Sequence, residues 1–273
     1  MILDCHIHLG DAPDRDAFAP KLRESGVDGG IVFSKSPASF GNRIPETNDA
    51  ATRIQKMMTF VETNPYLFPF FFIDPMEPNA SEQVTQAVEA GVKGFKVICA
   101  KHYPQDDKAM RIYEQISALG KPMLFHSGIL YNTEPSCEYN RPGNFEYLFE
   151  IPNLRFALAH ISWPWCDELI AVFGKWNYMY TSGHKKMTAS MYVDLTPGTP
   201  DIYREEALRK LLTVGYEMLP ERMIYGTDGS DTRYGKHIAD MVAFDNAIYD
   251  KIGVGVEQRN RIFSENLLSF VNG

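Results

Sequence analysis

The chain has 273 residues, 44% hydrophobic and 12% aromatic, with a formal net charge of −8 at pH 7. That length and apolar content suit a large core of the size of an α/β barrel, about 250 residues folded as one domain, here 1–273. The acidic balance argues against nucleic acid and anionic membrane surfaces as partners, and the densest apolar stretch, Phe68 to Ile73, is broken by Pro69 and far short of a membrane helix.

In chain order, Ile2 to Gly10 reads as a first strand carrying Asp4-Cys5-His6-Ile7-His8. Strict alternation puts His6 and His8 on one face and Cys5 and Ile7 on the other, toward the helices of a barrel. Asp11 to Asp16 reads as a polar loop, and Pro20 suits the first turn of a helix ending before Gly26. Gly30 to Ser34 is a short buried-type strand, followed by a loop from Lys35 to Glu46 that carries Arg43. Asn48 is placed to cap a helix to about Thr63, with Ile54, Met57, Met58 and Val61 at helical spacing. Leu67 to Ile73 is the third strand, and Ser81, Glu82 and Gln83 open a helix closed by Gly91.

Val92 to Ile98 is the fourth strand, with a helix from about Asp107 to Leu119. Pro122 to His126 is the fifth, followed by a loop from Ser127 to Asn140 and a helix from Pro142 to Glu150. Leu154 to His160 is the sixth, with a helix from Pro164 to Lys175 and an irregular stretch from Tyr178 to Met187. Ser190 to Leu195 is the seventh, with a helix from about Asp201 to Val214; Met223 to Thr227 is the eighth, and helices at about Ile238–Ile252 and Val256–Phe270 finish the chain. Strands alternating with helices imply right-handed βαβ units, and eight of them in this length imply a (β/α)8 TIM barrel with a parallel eight-stranded sheet. A doubly wound open sheet is the alternative, but no Gly-x-Gly-x-x-Gly turn follows the first strand.

In a parallel barrel the carboxyl ends of the strands form one functional face. His6 and His8 lie at the end of strand one, Lys96 near the end of strand four, His126 at the end of strand five, His160 at the end of strand six and Asp228 after strand eight. Seven histidines in 273 residues give about 0.2 His-x-His pairs by chance, so that motif alone says little. Singly, His126 or His160 is more often a hydrogen-bonded rim histidine, and Asp228 before Gly229 a turn residue. Their joint fall at equivalent strand ends is hard to attribute to chance. Cys5, Cys99, Cys137 and Cys166 are widely spaced with no Cys-x-x-Cys pair, and the N-terminus reads straight into a strand without a leader. Both features imply a reduced cytoplasmic compartment and no cysteine-based zinc site.

Across essentially its whole length the sequence resembles the amidohydrolase superfamily, closest to the amidohydrolase-2 branch of TIM-barrel metal-dependent hydrolases and related zinc decarboxylases. The resemblance rests on Asp4-x-His6-x-His8, Ile73-Asp74-Pro75, Gly94-Phe-Lys96, His126-Ser-Gly128, Leu158-Ala-His160, Tyr192-Val-Asp194 and Gly226-Thr-Asp228. A departure follows strand six, where a common His-Leu-Gly-Gly reads His160-Ile161-Ser162-Trp163. The resemblance implies that His6, His8, His126 and Asp228 bind one divalent metal per chain, Zn2+, which lowers the pKa of a bound water toward about 7. It implies that Asp228 takes the proton of the attacking water and that His160 polarises the substrate carbonyl or acts as acid/base. Lys96 has two readings: a carbamate bridging a second ion held by His126 and His160, or a partner for a substrate anion.

Arg43, Lys101, His102, Tyr131, Arg141, Trp163 and Trp165 fall in loops after strands; each alone is more often a solvated charge or rim aromatic than a substrate contact. Together they favour an anionic or carboxylated substrate with some flat apolar surface. Asp74 and Asp194 read as turn and strand-end residues, with Asp194 near the functional face; His184 and His237 fall outside the pattern. The implied activity is hydrolysis of a lactone, ester or amide of a small organic molecule. The alternative is a zinc-dependent non-oxidative decarboxylase acting on a carboxylated ring or muconate-like substrate. A barrel that keeps its metal as a binding module is disfavoured by the presence of both Asp228 and His160. Homo-oligomerisation stays open.

Overall fold

The computed structural model of the protein describes residues 1–40, 49–132, 135–183 and 187–273. Arg43, Asn48 and His184 lie outside the described residues. One curled parallel sheet contains β1 (Leu3–His8), β2 (Gly29–Phe33), β3 (Leu67–Phe72), β4 (Gly94–Val97), β5 (Met123–Phe125), β6 (Arg155–Leu158), β7 (Ser190–Asp194), β8 (Met223–Ile224) and β9 (Gly229–Ser230). The spatial order is β8-β7-β6-β5-β4-β3-β2-β1-β9, with helices in the connections, a TIM-barrel-like α/β arrangement. Among the described residues no helix is long and apolar enough to cross a membrane.

Among the described residues the strand count is nine where eight were expected, because the last strand is broken. Met223–Ile224 pairs with β7, and Gly229–Ser230 pairs with β1. Between them Tyr225 accepts a hydrogen bond from Cys5 N at 2.8 Å, so the segment meets both β7 and β1. Asp228 has a left-handed backbone (φ 60), which an extended ladder cannot contain. That kink ends the run and sets the Asp228 carboxylate beside the first strand.

The facing of β1 also departs from simple alternation. Leu3 pairs with Gly29 and Asp4 with Gly30, but the register then shifts, and Ile7 pairs with Val32. One extra residue is accommodated in β1, as in a β-bulge. Cys5 therefore packs with Leu3, Ile31 and Phe33 in the inner core, not against the helices as alternation predicted. Ile7 faces the outer, helix-packed layer as expected. The bulge is held by Asp4, whose Oδ1 accepts from His6 N at 2.8 Å and Thr227 N at 3.0 Å. Its Oδ2 accepts from Tyr234 OH at 2.8 Å and from the Thr227 hydroxyl. Burial pushes the Asp4 carboxyl up to about 6, against these donors. One buried side chain thus ties β1 to the end of the broken strand.

Inside the sheet, Leu3, Ile31, Phe70, Leu124, Tyr192 and Ile224 share a core with Leu267, Phe270 and Val271 of the last helix. Arg155, the first residue of β6, donates to Phe270 O at 3.0 Å, so that helix sits at the amino ends of the strands. The carboxyl ends are left for the site. Outside, Val32, Phe71, Phe95, Phe125, Leu158 and Val193 pack against helix residues such as Met57, Val84, Ile116, Leu169 and Ile248. Truncating a fully buried aromatic such as Phe70 to Ala costs about 3–5 kcal/mol.

Three helix boundaries differ from the sequence expectation. Asp14 caps the first helix (Arg15–Ser25) by accepting from Ala17 N, which places Pro20 in its interior. Asp49 caps Ala50–Val61 through Ala51 N and Thr52 N. The helix after β6 runs Cys166–Ser182, through the stretch expected to be irregular. Trp176 stacks there on Tyr180 one turn later, ring centroids 5.0 Å apart, which extends the helix past Lys175.

Candidate metal centre and active site

The bulge in β1 lets two consecutive chemical tasks share one strand. Before it the strand fills the core; after it His6 and His8 turn to the carboxyl-end opening. Their rings lie 5.1 Å apart between centroids. Asp228 comes from the left-handed kink across from them, with its Oδ1 3.1 Å from His8 Nε2 and 3.5 Å from His6 Nε2. One ligand atom from each of His6, His8 and Asp228 lies within 4.8 Å of the others. His6 is buried, whereas His8 and Asp228 are 37% and 45% exposed, so the cluster opens to solvent on one side.

His126 follows β5 and His160 follows β6. His160 stands between the others, with its ring centroid 4.9 Å from that of His6 and 4.8 Å from that of His126. His160 Nδ1 is 3.1 Å from Pro197 O, in the loop after β7. The structure does not place His126 in the compact trio of expected ligands. Its Nε2 is buried with no hydrogen-bond partner among the described residues. An unpaired buried nitrogen of this kind costs free energy unless something binds it.

His160, Ile161 and Ser162 all have positive φ (62, 47 and 53), in the stretch where the resembled pattern carries glycines. A left-handed backbone costs a non-glycine residue roughly 1–2 kcal/mol. The turn is held by burial of Ile161 and by Ser162 Oγ, which donates to Ser127 Oγ at 2.8 Å. Ser127 Oγ in turn donates to Asn140 O at 3.0 Å. These bonds link the loops that carry His126 and His160.

Lys96 is fully enclosed in the barrel, its Nζ 3.4 Å from His6 Nε2 and 4.9 Å from the centre of the Phe33 ring. Burial draws its pKa down to about 8, partly offset by Asp194 and Asp228. Burial also draws down His6, His126 and His160, with the Lys96 charge adding to the effect at each. The three imidazoles are therefore neutral at pH 7, the form that binds a metal. Asp228 is the opposite case. Burial pushes its carboxyl up, but the hydrogen bond to His8 and the nearby imidazoles outweigh this and hold it well below the usual carboxylate range.

Asp194, read from the sequence as a strand-end residue, touches the candidate cluster directly. Its Oδ2 is 2.8 Å from His6 Nδ1, and its Oδ1 accepts from Thr196 N at 2.6 Å. In the sequence this carboxylate was marked only by its place near the strand end and by the Tyr192-Val-Asp194 motif of the resemblance, neither of which gave its partner. Asp74 is the turn residue expected, accepting from Met76 N, and His237 is exposed on a helix.

The donor set fits a divalent cation. Neutral imidazole nitrogens and an ionised carboxylate converge, two carboxylates (Asp194 and Asp228) face the single Lys96 ammonium, and His126 Nε2 awaits a partner. The rim is less cationic than its sequence suggested. Arg141 is paired with Glu168 at 2.6 Å while lying 5.5 Å from the Trp165 ring, and Lys35 is paired with Asp11. Trp163 stacks on Tyr203 with centroids 5.5 Å apart, Tyr131 is exposed, and His102 is buried.

The family model described as Amidohydrolase, of the amidohydrolase-2 type, matches residues 3–266. No curated protein matches the chain by sequence. Among solved structures, the fold is similar to a "probable 2-pyrone-4,6-dicarboxylic acid hydrolase" of Acinetobacter baumannii with citric acid bound (TM-score 0.62, 12% identity, 100% of this chain and 99% of that one). It is also similar to amidohydrolase 2 of Bifidobacterium longum subsp. infantis (TM-score 0.60, 14% identity, 99% and 98%). A third likeness is to an amidohydrolase of Burkholderia ambifaria with bound Zn (TM-score 0.53, 14% identity, 94% of this chain and 67% of that one).

Proposed function

The chain belongs to the amidohydrolase family, and from that premise we propose that the His6–His8–Asp228 cluster is the centre of a metal-dependent hydrolase. The observation that carries the reading is the convergence of these three side chains within 4.8 Å, beside His160, at the carboxyl ends of the strands. His6, His8 and Asp228, with His126 as fourth donor, would hold a divalent ion, zinc in this proposal, which would supply Lewis-acid polarisation and acidify water.

The chain's own groups then divide the proton work. Asp228 is ionised at neutral pH, so its carboxylate takes a proton from the attacking water and returns it to the leaving oxygen or nitrogen. His160, kept neutral by burial, offers a proton acceptor beside the reacting carbonyl. Lys96, a buried cation with a pKa of about 8, favours an anionic substrate or an oxyanion. The mouth, with Trp163 stacked on Tyr203, suits a flat organic group. The substrate proposed is therefore a small carboxylated lactone, ester or amide, and the name of the Acinetobacter neighbour, a "probable 2-pyrone-4,6-dicarboxylic acid hydrolase", makes carboxylated lactones the first panel to try.

Metal-replete protein is incubated with a panel of carboxylated lactones and a panel of hydroxybenzoate-type acids. Ring opening without release of CO₂ is the expected result, with elemental analysis giving close to one divalent ion per chain. Release of CO₂ from the acids with no ring opening overturns hydrolysis in favour of the lyase, and a chain without metal overturns both.

A further inference from the structure

β7 contributes none of the cluster's ligands, yet its end touches two of the histidines. Asp194 Oδ2 lies 2.8 Å from His6 Nδ1, and Pro197 O lies 3.1 Å from His160 Nδ1. A carbonyl oxygen only accepts, and so does an ionised carboxylate. Each Nδ1 must therefore be the donor, which leaves the Nε2 of each neutral ring as a lone pair. We infer that the end of β7 is a positioning element that sets the tautomers of His6 and His160 together, turning both Nε2 lone pairs into the site.

The surroundings admit little else. Asp194 Oδ1 is already engaged by Thr196 N at 2.6 Å, and Asp194 is fully buried, so no water relay replaces the contact. Gly198 follows Pro197, and a Cβ there would sit 3.0 Å from His160 Cβ. A side chain there would press His160 aside by a few tenths of an ångström, against the contact that brings Pro197 O to Nδ1. The same short segment thus fixes one ring through a carboxylate and the other through a carbonyl. The consequence for metal and catalysis rests on the proposed hydrolase; the tautomers themselves do not.

Asp194→Asn tests the carboxylate. An amide has one acceptor oxygen, but Asp194 accepts from two donors. With the amide oxygen kept by Thr196 N, the shorter of the two contacts, the NH₂ faces His6 Nδ1 and drives the proton to Nε2. Histidine-labelled protein, treated with chelator, is examined by long-range ¹H–¹⁵N correlation, with signals assigned by single-histidine variants. Wild type is expected to show both His6 and His160 as Nδ1–H tautomers, a measurement that needs no β7 variant to fold. In Asp194→Asn, His6 shifts toward Nε2–H, His160 does not, and zinc affinity falls about 10–100-fold. In Gly198→Ala, His160 loses its fixed tautomer while His6 keeps its own.

Finding His6 or His160 as Nε2–H in wild type overturns the inference. So does an Asp194→Asn protein that keeps the His6 tautomer and binds zinc within twofold of wild type, which reduces Asp194 to a strand-end cap. A protein with the expected tautomers that hydrolyses nothing defeats the hydrolase reading alone, and the reverse pattern defeats only this one.

Discussion

On the β1 side of the site the histidines are braced by side chains. Asp194 holds His6, Asp228 meets His8, and Asp4 pins the bulge that turns both rings inward. On the β5 and β6 side three successive left-handed residues carry His160, held by a single hydroxyl bond from Ser162 to Ser127 and by burial of Ile161, and His126 Nε2 has no partner among the described residues. The first side is assembled from charge and hydrogen bonds; the second stores strain and an unmet nitrogen.

The largest expected effect comes from removing the anion on the braced side. Asp228→Asn deletes both a charged ligand and a proton acceptor, so elemental analysis should find the metal lost, and turnover should fall by about 10²–10⁴-fold or more. His160→Asn sharpens the contrast. It should retain metal and fold while turnover drops by about 10²-fold, as for a positioned acid/base that is not an obligatory ligand. If His160→Asn empties the site as completely as His6→Asn, His160 is a ligand. Two ions per chain, with added mass on Lys96, would establish the bridging carbamate.

A pH measurement compares the two sides in the metal-stripped protein. His6, His126 and His160 have native pKa values depressed by burial below their unfolded value near 6.5. The unfolded chain binds more protons, so these groups lend stability above pH 6.5 that is lost as pH falls below it. Chemical denaturation between pH 7 and 5 should show this loss, and His126→Gln should reduce its slope by up to about 1.4 kcal/mol per pH unit, one proton's worth. An unchanged slope would mean that His126 is not buried neutral. The smallest effect lies in the strained turn. Ser162→Ala should cost about 1 kcal/mol through its bond to Ser127. Ser162→Gly loses the same bond but relieves the left-handed backbone, and should end up to about 1 kcal/mol above the alanine variant in denaturant midpoints.

Much of this architecture was legible before the structure. Apolar runs bounded by glycines and prolines located the strands, and the placement of His6, His8, His126, His160 and Asp228 at their ends pointed to the candidate site. Hidden features depended on partners distant in sequence or on a backbone torsion. Asp4-Cys5-His6 is compatible with alternation in either phase, so the bulge left no mark until Thr227 and Tyr234 were seen to hold Asp4. Asp194 looked like any strand-end carboxylate, because His6 is 188 residues away. Arg141 read as a free cation because Glu168 lies 27 residues later. The break in the last strand follows from the φ of Asp228, which composition does not encode.

The bulge in β1 has an engineering consequence. Because the phase of the strand changes between Asp4 and Ile7, the residues that pack the interior and those of the candidate site are uncoupled within six positions. Substituting Leu3 or Cys5 for another apolar residue alters packing without turning the histidines. Deleting a single residue between Asp4 and Ile7 does the reverse: every substituent upstream changes face relative to those downstream, and core and imidazoles can no longer both be satisfied. For this strand, length is a stricter requirement than composition, and a library that varies residue identity while fixing residue number would leave the site's frame intact.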